Sequence, residues 1–167
     1  MSIDLFRDSR WDTFGLLREA YLAVSVLIDA EVTADGGLPP DLADLVFRLA
    51  RTPGHTLKTI EITRSLATTT TRTTRLVDQA QQRGLVRRLA HPSDRRATLV
   101  QLTDDGLAAA TAAGRVALQA AQRHVHDVLD DATIAQLTRV LRQLRDAAQA
   151  PGPHPTEQLP PVSTATC

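Results

Sequence analysis

Arginine and threonine side chains are concentrated in the middle of the chain. Residues 51–96 contain ten basic residues, nine of them arginine, and only three acidic residues. The flanking segments are acidic: residues 1–50 hold four basic and nine acidic groups, and residues 97–167 hold five and seven. Guanidinium groups bind phosphates through paired hydrogen bonds, and threonine hydroxyls also contact phosphate oxygens. A basic face on a neutral protein suggests a polyanionic partner at one place. An ordinary solvated charged surface is the commoner explanation of such a pattern, and the order of elements in this segment decides against it.

Helix and turn signals give this segment a definite order of elements. A short helix capped by Thr56, a turn, and a longer helix that ends at Gly84 predict a helix-turn-helix. Residues 85–89 and 97–102 are short and β-compatible, and the basic loop between them predicts a hairpin. A helix-turn-helix followed directly by such a hairpin is a winged helix.

Apolar helices are predicted on both sides of the winged helix. The helix over about residues 9–31 carries apolar side chains on more than one face, and a second helix starts with Asp41 as its cap. After the wing, Thr103 caps a long alanine-rich helix and Asp130 caps the last helix. Faces as apolar as these require a partner, so we expect the N-terminal helix and the two C-terminal helices to form an association surface.

The middle of the chain resembles the MarR family of winged-helix transcriptional regulators. The motifs that carry the resemblance are Leu57, Glu61-Ile62 and Leu66 ahead of the recognition helix, Thr74–Asp78 and Arg83–Arg88 at its end and in the first wing strand, and Pro92–Arg96 and Leu99–Gly106 in the wing and at the entry to the next helix. As an ordered architecture the resemblance covers roughly residues 10–148, and its most specific part runs from Thr74 to Gly106.

The resemblance implies a two-fold homodimer that binds double-stranded DNA at a pseudo-palindromic operator. It implies a sequence-specific transcriptional regulator, most simply a repressor that a small organic effector releases. The side chains expected to contact DNA are Thr69, Thr70, Thr71, Arg72, Thr74 and Arg75 in the recognition helix and Asp94, Arg95 and Arg96 in the wing. By the same resemblance Arg96 enters the minor groove, and we expect Asp94 to fix the wing tip by bonding the loop backbone or an arginine.

The predicted fold class is mainly α with a small β-hairpin wing, a winged helix-turn-helix domain plus a helical dimerisation region. The predicted segments are an N-terminal dimerisation helix in residues 1–40, the DNA-binding domain in 41–103, C-terminal dimerisation helices in 104–149 and a proline-rich tail in 150–167 that should not pack.

The start of the recognition helix departs from the family pattern. Residues 68–75 are six threonines and two arginines, and apolar residues are usual where Thr68 and Thr73 stand. Threonine is a poor helix former, although Thr68 or Thr69 can serve as the N-cap. Two interpretations stay open: sequence drift at half-exposed sites, or hydroxyls that contact phosphates while methyl groups touch thymine methyls.

An effector site is predicted only weakly. Trp11, Phe14, Arg18 and Tyr21 on the N-terminal helix could line a ligand pocket. The alternative, which we favour, is that these side chains pack in the dimer interface.

Enzymatic and cofactor-dependent functions lack their motifs. The sequence has no Walker loop, no dinucleotide-binding glycine motif and no nucleophile elbow, so we expect neither an enzyme nor a cofactor. We also expect no metal site, because His124 and His126 are two positions apart on a helix and point to different faces.

The single cysteine, Cys167, excludes a disulfide framework and a thiol sensor in the N-terminal helix. Without a long apolar run or a signal-peptide core, the expected location is cytoplasmic, with no membrane partner.

Two alternatives remain at this stage. One is a dimeric winged-helix adaptor that has lost sequence-specific DNA binding, and the other is a small-molecule-binding protein or enzyme. The basic segment argues against an adaptor, which has no need of arginines at both the recognition helix and the wing. An enzyme would require a convergent set of acid–base or nucleophilic groups, and the sequence shows none.

Overall fold

The structure is a computed structural model that describes residues 9–93 and 97–149. The chain divides into two compact units, residues 1–128 and 129–167. The described elements of the first unit are helices α1 (Ser9–Asp35), α2 (Pro40–Ala50), α3 (Thr59–Ser65), α4 (Thr70–Gln82) and α5 (Asp104–Ala121), strands β1 (Thr56–Lys58), β2 (Val86–Ala90) and β3 (Thr98–Leu102), a 3-10 turn at Pro53–His55 and a π-helical segment at Gln122–His126. The second unit contains helix α6 (Asp131–Gln149). The predicted fold class, mainly helical with a small hairpin wing, is confirmed.

Helix α2 lies at the centre of the hydrophobic core. Leu42, Leu45, Val46 and Leu49 recur at helical spacing and are completely buried. Side chains from the other elements of the first unit close this core, among them Val32, Ile62, Val77, Val100 and Ala113. Burying one such side chain is worth about 2 kcal/mol, so α2 is fixed firmly against its neighbours.

The sheet has three antiparallel strands in the order β1-β3-β2. Strand β2 pairs with β3 from Val86 opposite Leu102 to Ala90 opposite Thr98, which confirms the predicted hairpin. Strand β1 was not predicted, and the expectation that Thr56 caps a helix is wrong because Thr56 pairs with Gln101 in the sheet.

Helix α3 starts three residues after Thr56. Its first turn is stabilised by Glu61, whose carboxylate accepts a hydrogen bond from the backbone N–H of Lys58 at 2.7 Å. This bond, from the backbone of the N-cap residue to the side chain of the third helical residue, is one of the two bonds of a capping box. It takes the place of the predicted threonine cap.

The beginning of α2 also differs from expectation. Pro40 is its first residue and Pro39 precedes it, so Asp41 lies in the first turn and is not the cap. Proline suits the first helical position because its fixed φ matches the helix and its missing N–H would have no partner within the helix. The negative charge of Asp41 remains favourable there, since the helix dipole is positive at this end.

The start of α5 is confirmed in detail. The Thr103 hydroxyl accepts a hydrogen bond from the Gly106 N–H at 2.9 Å, as a helix cap should. A Cβ atom on Gly106 would lie 1.9 Å from the carbonyl oxygen of Leu85, so only glycine lets α5 approach the start of β2 this closely. The helix ends in the π-helical segment, which the sequence pattern did not indicate.

The N-terminal helix α1 exposes many large apolar side chains, and it ends at Asp35. The exposed members are Trp11, Phe14, Leu16, Leu17, Tyr21, Leu22, Val26 and Leu27.

In the second unit, the Asp130 carboxylate accepts a hydrogen bond from the Thr133 N–H at 2.8 Å and caps α6 as predicted. Helix α6 exposes Leu137, Val140, Leu141 and Leu144. None of the described helices combines the length and the apolar character needed to cross a membrane.

Candidate nucleic-acid interface and an apolar cavity

Helices α3 and α4 are joined by a tight turn. Ala67 adopts a left-handed conformation with φ of 47°, and the N–H of Thr68 donates to the carbonyl oxygen of Thr63 at 3.2 Å. Helix α4 then begins at Thr70, and the hydroxyl of Thr69 caps it by accepting from the N–H of Arg72 at 3.2 Å. Of the two threonines considered for the cap, the structure selects Thr69.

Helix α4 separates a buried face from an exposed face. Thr73, Leu76, Val77 and Ala80 are buried against the core. The exposed face of the first two turns carries Thr70, Thr71, Arg72, Thr74 and Arg75. Five of the nine residues predicted to contact DNA therefore lie together on the outer side of one helix, near its positive N-terminal end.

Two of these side chains already have partners within the protein. The Arg72 guanidinium lies 2.9 Å from the carboxylate of Asp41 on α2 and forms an exposed ion pair with it. The Thr74 hydroxyl donates to the carbonyl oxygen of Thr70 at 2.9 Å. The sequence pattern could not show the Asp41 contact, because it joins residues far apart in the chain.

Strand β2 contributes two further arginines that the sequence analysis did not single out. Arg87 donates twice to the side-chain oxygen of Gln101 on β3, at 2.9 and 2.6 Å. Arg88 lies 2.7 Å from the carboxylate of Asp78 and donates to Gln81 at 2.8 Å, both on α4. Part of the basic segment therefore braces the wing strand against the recognition helix.

The wing is described only at its base. The N–H of His91 donates to the carbonyl oxygen of Ala97 at 3.4 Å, continuing the β2–β3 pairing outward. Asp94, Arg95 and Arg96 lie outside the described residues, so their assignment as DNA contacts stays a prediction.

Helices α1, α2 and α5 of the first unit line an open cavity of about 900 Å³. Of the four side chains predicted to meet a ligand, Tyr21 lines this cavity, while Trp11, Phe14 and Arg18 lie elsewhere on α1. The rings of Trp11 and Phe14 contact each other edge to face, with centroids 6.2 Å apart.

Two carboxylates line the cavity. Burial raises the pKa of Asp29, and the negative charge of Asp41 raises it further. Partial burial also raises the pKa of Asp44; Arg48 opposes this shift, whereas Asp29 and Asp41 add to it. These three acidic groups therefore influence one another across α1 and α2.

The comparison with known families decides the assignment of the core segment. Residues 40–98 match the family model described as the MarR family. The chain carries a MarR-family domain. The match runs from the first residue of α2 to the first residue of β3, so it contains the helix-turn-helix, the first wing strand and the wing loop.

Solved structures of MarR-family proteins share the fold over most of the chain. Sco3205 from Streptomyces coelicolor, a MarR family transcriptional regulator in complex with DNA, is 23% identical with a TM-score of 0.76, covering 92% of this chain and 95% of that one. AbsC from the same organism is 18% identical with a TM-score of 0.73, covering 89% and 97%. A mutant MarR from E. coli complexed with operator DNA is 20% identical with a TM-score of 0.71, covering 85% and 99%. No curated protein sequence gives a significant match.

The residues described around the MarR-family domain offer no metal centre. Within residues 9–93 and 97–149, no group of three or more histidine, cysteine, aspartate or glutamate side chains could hold a metal ion.

Proposed function

We propose that the protein is a sequence-specific double-stranded DNA-binding transcriptional regulator, a homodimeric repressor that a small molecule releases. The observation that carries the proposal is the exposed face of α4, where Thr70, Thr71, Thr74 and Arg75 lie together while the opposite face is buried. A helix with one face fixed in a core and a polar, cationic face outward fits the major groove. The MarR-family match over residues 40–98 supports the same function.

In this mechanism the threonines read DNA through two kinds of contact. Thr70 and Thr71 lie in the first turn of α4, where recognition helices meet base edges, and their methyl groups suit thymine methyl groups. Arg75 lies one turn further along and contacts a phosphate, which adds affinity without sequence information. Arg95 and Arg96 of the wing supply the adjacent contacts that the family resemblance implies.

Dimerisation places two recognition helices on one operator. Helices α1 and α6 each expose at least four large apolar side chains, and exposed apolar patches mark association surfaces. We assign residues 1–40 and 104–149 to the dimer interface, and residues 41–103 to DNA binding. A two-fold dimer then requires two half-sites about one helical turn apart, which gives the pseudo-palindromic operator.

Release by a small molecule requires a site that connects with the DNA-binding domain. The cavity between α1, α2 and α5 meets this need, because α2 supplies part of its wall and also packs in the core beneath α4. The proposed role is therefore regulatory and not catalytic.

Fluorescence anisotropy on duplexes tiled across the protein's own upstream DNA tests the proposal. Wild type should bind one duplex far more tightly than scrambled duplexes. Arg75→Ala should weaken binding to every duplex and reduce the slope of log affinity against log salt by about 1. Thr71→Ala should change the preference at one base step by about 1 kcal/mol.

Arg139→Ala on α6 is the matched control, since it removes the same charge from an exposed site that belongs neither to α4 nor to the cavity. It should leave affinity and salt slope unchanged. A dimeric Arg75→Ala protein that binds DNA as tightly as wild type would contradict the assigned face. A wild type with no preferred duplex would favour the adaptor alternative.

A further inference from the structure

The cavity in the first unit has an apolar floor. Val32 of α1, Ala43 of α2 and Ala110 of α5 are buried and line it, and the half-buried Ile28 and Phe47 continue the apolar wall. A volume of about 900 Å³ lies within the range of small-molecule sites.

One carboxylate enters this apolar wall. Asp29 lies on the face of α1 that also supplies Tyr21, Ser25 and Val32, at spacings of three and four residues. Four charged residues line the cavity: Asp29, Asp44, Arg51 and Arg115. Burial raises the pKa of both carboxylates, whereas Arg51 and Arg115 are exposed, so the lining charges that burial destabilises are negative.

The electrostatic surroundings of Asp29 leave its charge poorly compensated. Burial destabilises the ionised carboxylate, and the neighbour that acts on it by charge is another carboxylate, Asp41, so both influences raise the pKa of Asp29. At neutral pH a cation beside Asp29 would relieve this cost. An organic anion would meet a like charge at Asp29, and Arg51 and Arg115 are exposed enough to be satisfied by water.

We infer that the cavity takes an amphipathic organic cation, with its ammonium or guanidinium group on the Asp29 carboxylate and its apolar body along Ile28, Val32 and Phe47. The aromatic ring of Phe47 adds a surface suited to an aryl group. Ligand binding is inferred from the residues of the cavity alone. The regulatory role of the ligand rests on the proposed function. The inference names the chemical class of the effector.

Three ligands of equal size and different charge test this class. They are 4-phenylbutylamine, 4-phenylbutanol and 4-phenylbutyrate, measured by titration calorimetry and thermal shift on the full chain. The amine should bind about tenfold more tightly than the alcohol, as expected for one charge-assisted hydrogen bond, and the butyrate most weakly.

Asp29→Asn should abolish the preference for the amine while keeping the shape of the site. Asp35→Asn is the matched control, because Asp35 is exposed on the same helix and does not line the cavity. The control should bind the amine as wild type does.

Three results would overturn the inference. The first is that the amine and the alcohol bind with equal affinity. The second is that the butyrate binds more tightly than the amine and that Arg115→Gln loses this binding. The third is that none of the three ligands binds. DNA binding without ligand is measured separately on the same samples. A protein that binds its operator and rejects the amine contradicts only this inference, and one that binds the amine but no DNA contradicts only the proposed function.

Discussion

The hydroxyl oxygens of Thr63 on α3 and Thr73 on α4 lie 2.9 Å apart in a buried contact. Each hydroxyl also lies within hydrogen-bond distance of the backbone carbonyl one turn earlier in its own helix, Thr63 with the oxygen of Thr59 at 3.0 Å and Thr73 with the oxygen of Thr69 at 3.1 Å. Since each hydroxyl has one proton, Thr73 donates to its backbone carbonyl and the Thr63 proton is shared between the Thr59 oxygen and the Thr73 hydroxyl. The two helices of the helix-turn-helix are thus joined by a satisfied polar pair at a place where an apolar contact is usual in similar proteins. Thr73 is therefore a core residue and does not belong to the DNA-facing set.

Paired valine substitutions should reveal this contact. Thr73→Val keeps the volume and removes the hydroxyl, so it should lower the free energy of unfolding by about 1 kcal/mol. Thr63→Val should do the same, but the double variant should cost less than the sum, because two apolar groups then face each other. Urea unfolding of all four proteins measures the coupling. Strictly additive effects would show that the hydroxyl pair contributes nothing of its own.

Two glycine-to-alanine changes should have opposite effects on stability. Gly106→Ala places a methyl group against the Leu85 carbonyl and should cost about 3 kcal/mol, since α5 must move away from β2. Gly15→Ala on α1 has no atom within 4 Å of the new methyl group and should stabilise the helix by about 1 kcal/mol. Thermal unfolding compares the two. A neutral Gly106→Ala would mean that the contact between α5 and β2 is not close in solution.

The stability of the α1–π-segment contact should depend on pH. The Glu31 carboxylate accepts from His124 at 2.8 Å and also pairs with Arg123. The His124 hydrogen bond is the main cause that lowers the pKa of Glu31, with Arg123 adding to it against partial desolvation. A lowered carboxylate pKa stabilises the fold above the pKa of the unfolded chain, and this contribution disappears as the pH falls through the folded-state pKa.

Glu31→Gln should therefore lose stability at neutral pH and converge with wild type as the pH approaches about 2. Chemical denaturation across this range gives the difference directly. Glu19→Gln, at an exposed site on the same helix, should show no such convergence. A constant gap between Glu31→Gln and wild type at every pH would assign the effect to packing and not to charge.

The ion pair between Asp41 and Arg72 should restrain DNA binding. Asp41→Asn removes a negative charge and frees Arg72 for a phosphate, so affinity for any duplex should rise and the salt slope should steepen by about 1. In an Arg72→Ala background the same change should have a much smaller effect. Anisotropy titrations at several salt concentrations measure both slopes. Equal effects in the two backgrounds would show that Arg72 plays no part.

Local signals in the sequence predicted the helices and the wing hairpin. The features that the sequence did not predict depend on contacts between residues far apart in the chain. The caps at Thr103 and Asp130 depend on residues three positions away, so they could be assigned from the sequence. Strand β1 has three residues and exists only because Thr56 meets Gln101 from the far end of the domain. The cavity arises where three helices fail to fill the space between them, and no spacing along one helix could reveal that Tyr21 lines it while Trp11 does not.

The position of α2 has a thermodynamic consequence. Its Ala43 and Phe47 line the cavity, its buried leucines fill the core beneath α4, and its Asp41 holds Arg72. In the proposed mechanism a single helix therefore takes part in both binding equilibria. If a molecule in the cavity lowers the affinity for DNA by some factor, a bound operator must lower the affinity for that molecule by the same factor. The operator is then itself an inhibitor of effector binding, and a cell with many operator copies would need more effector to reach the same occupancy.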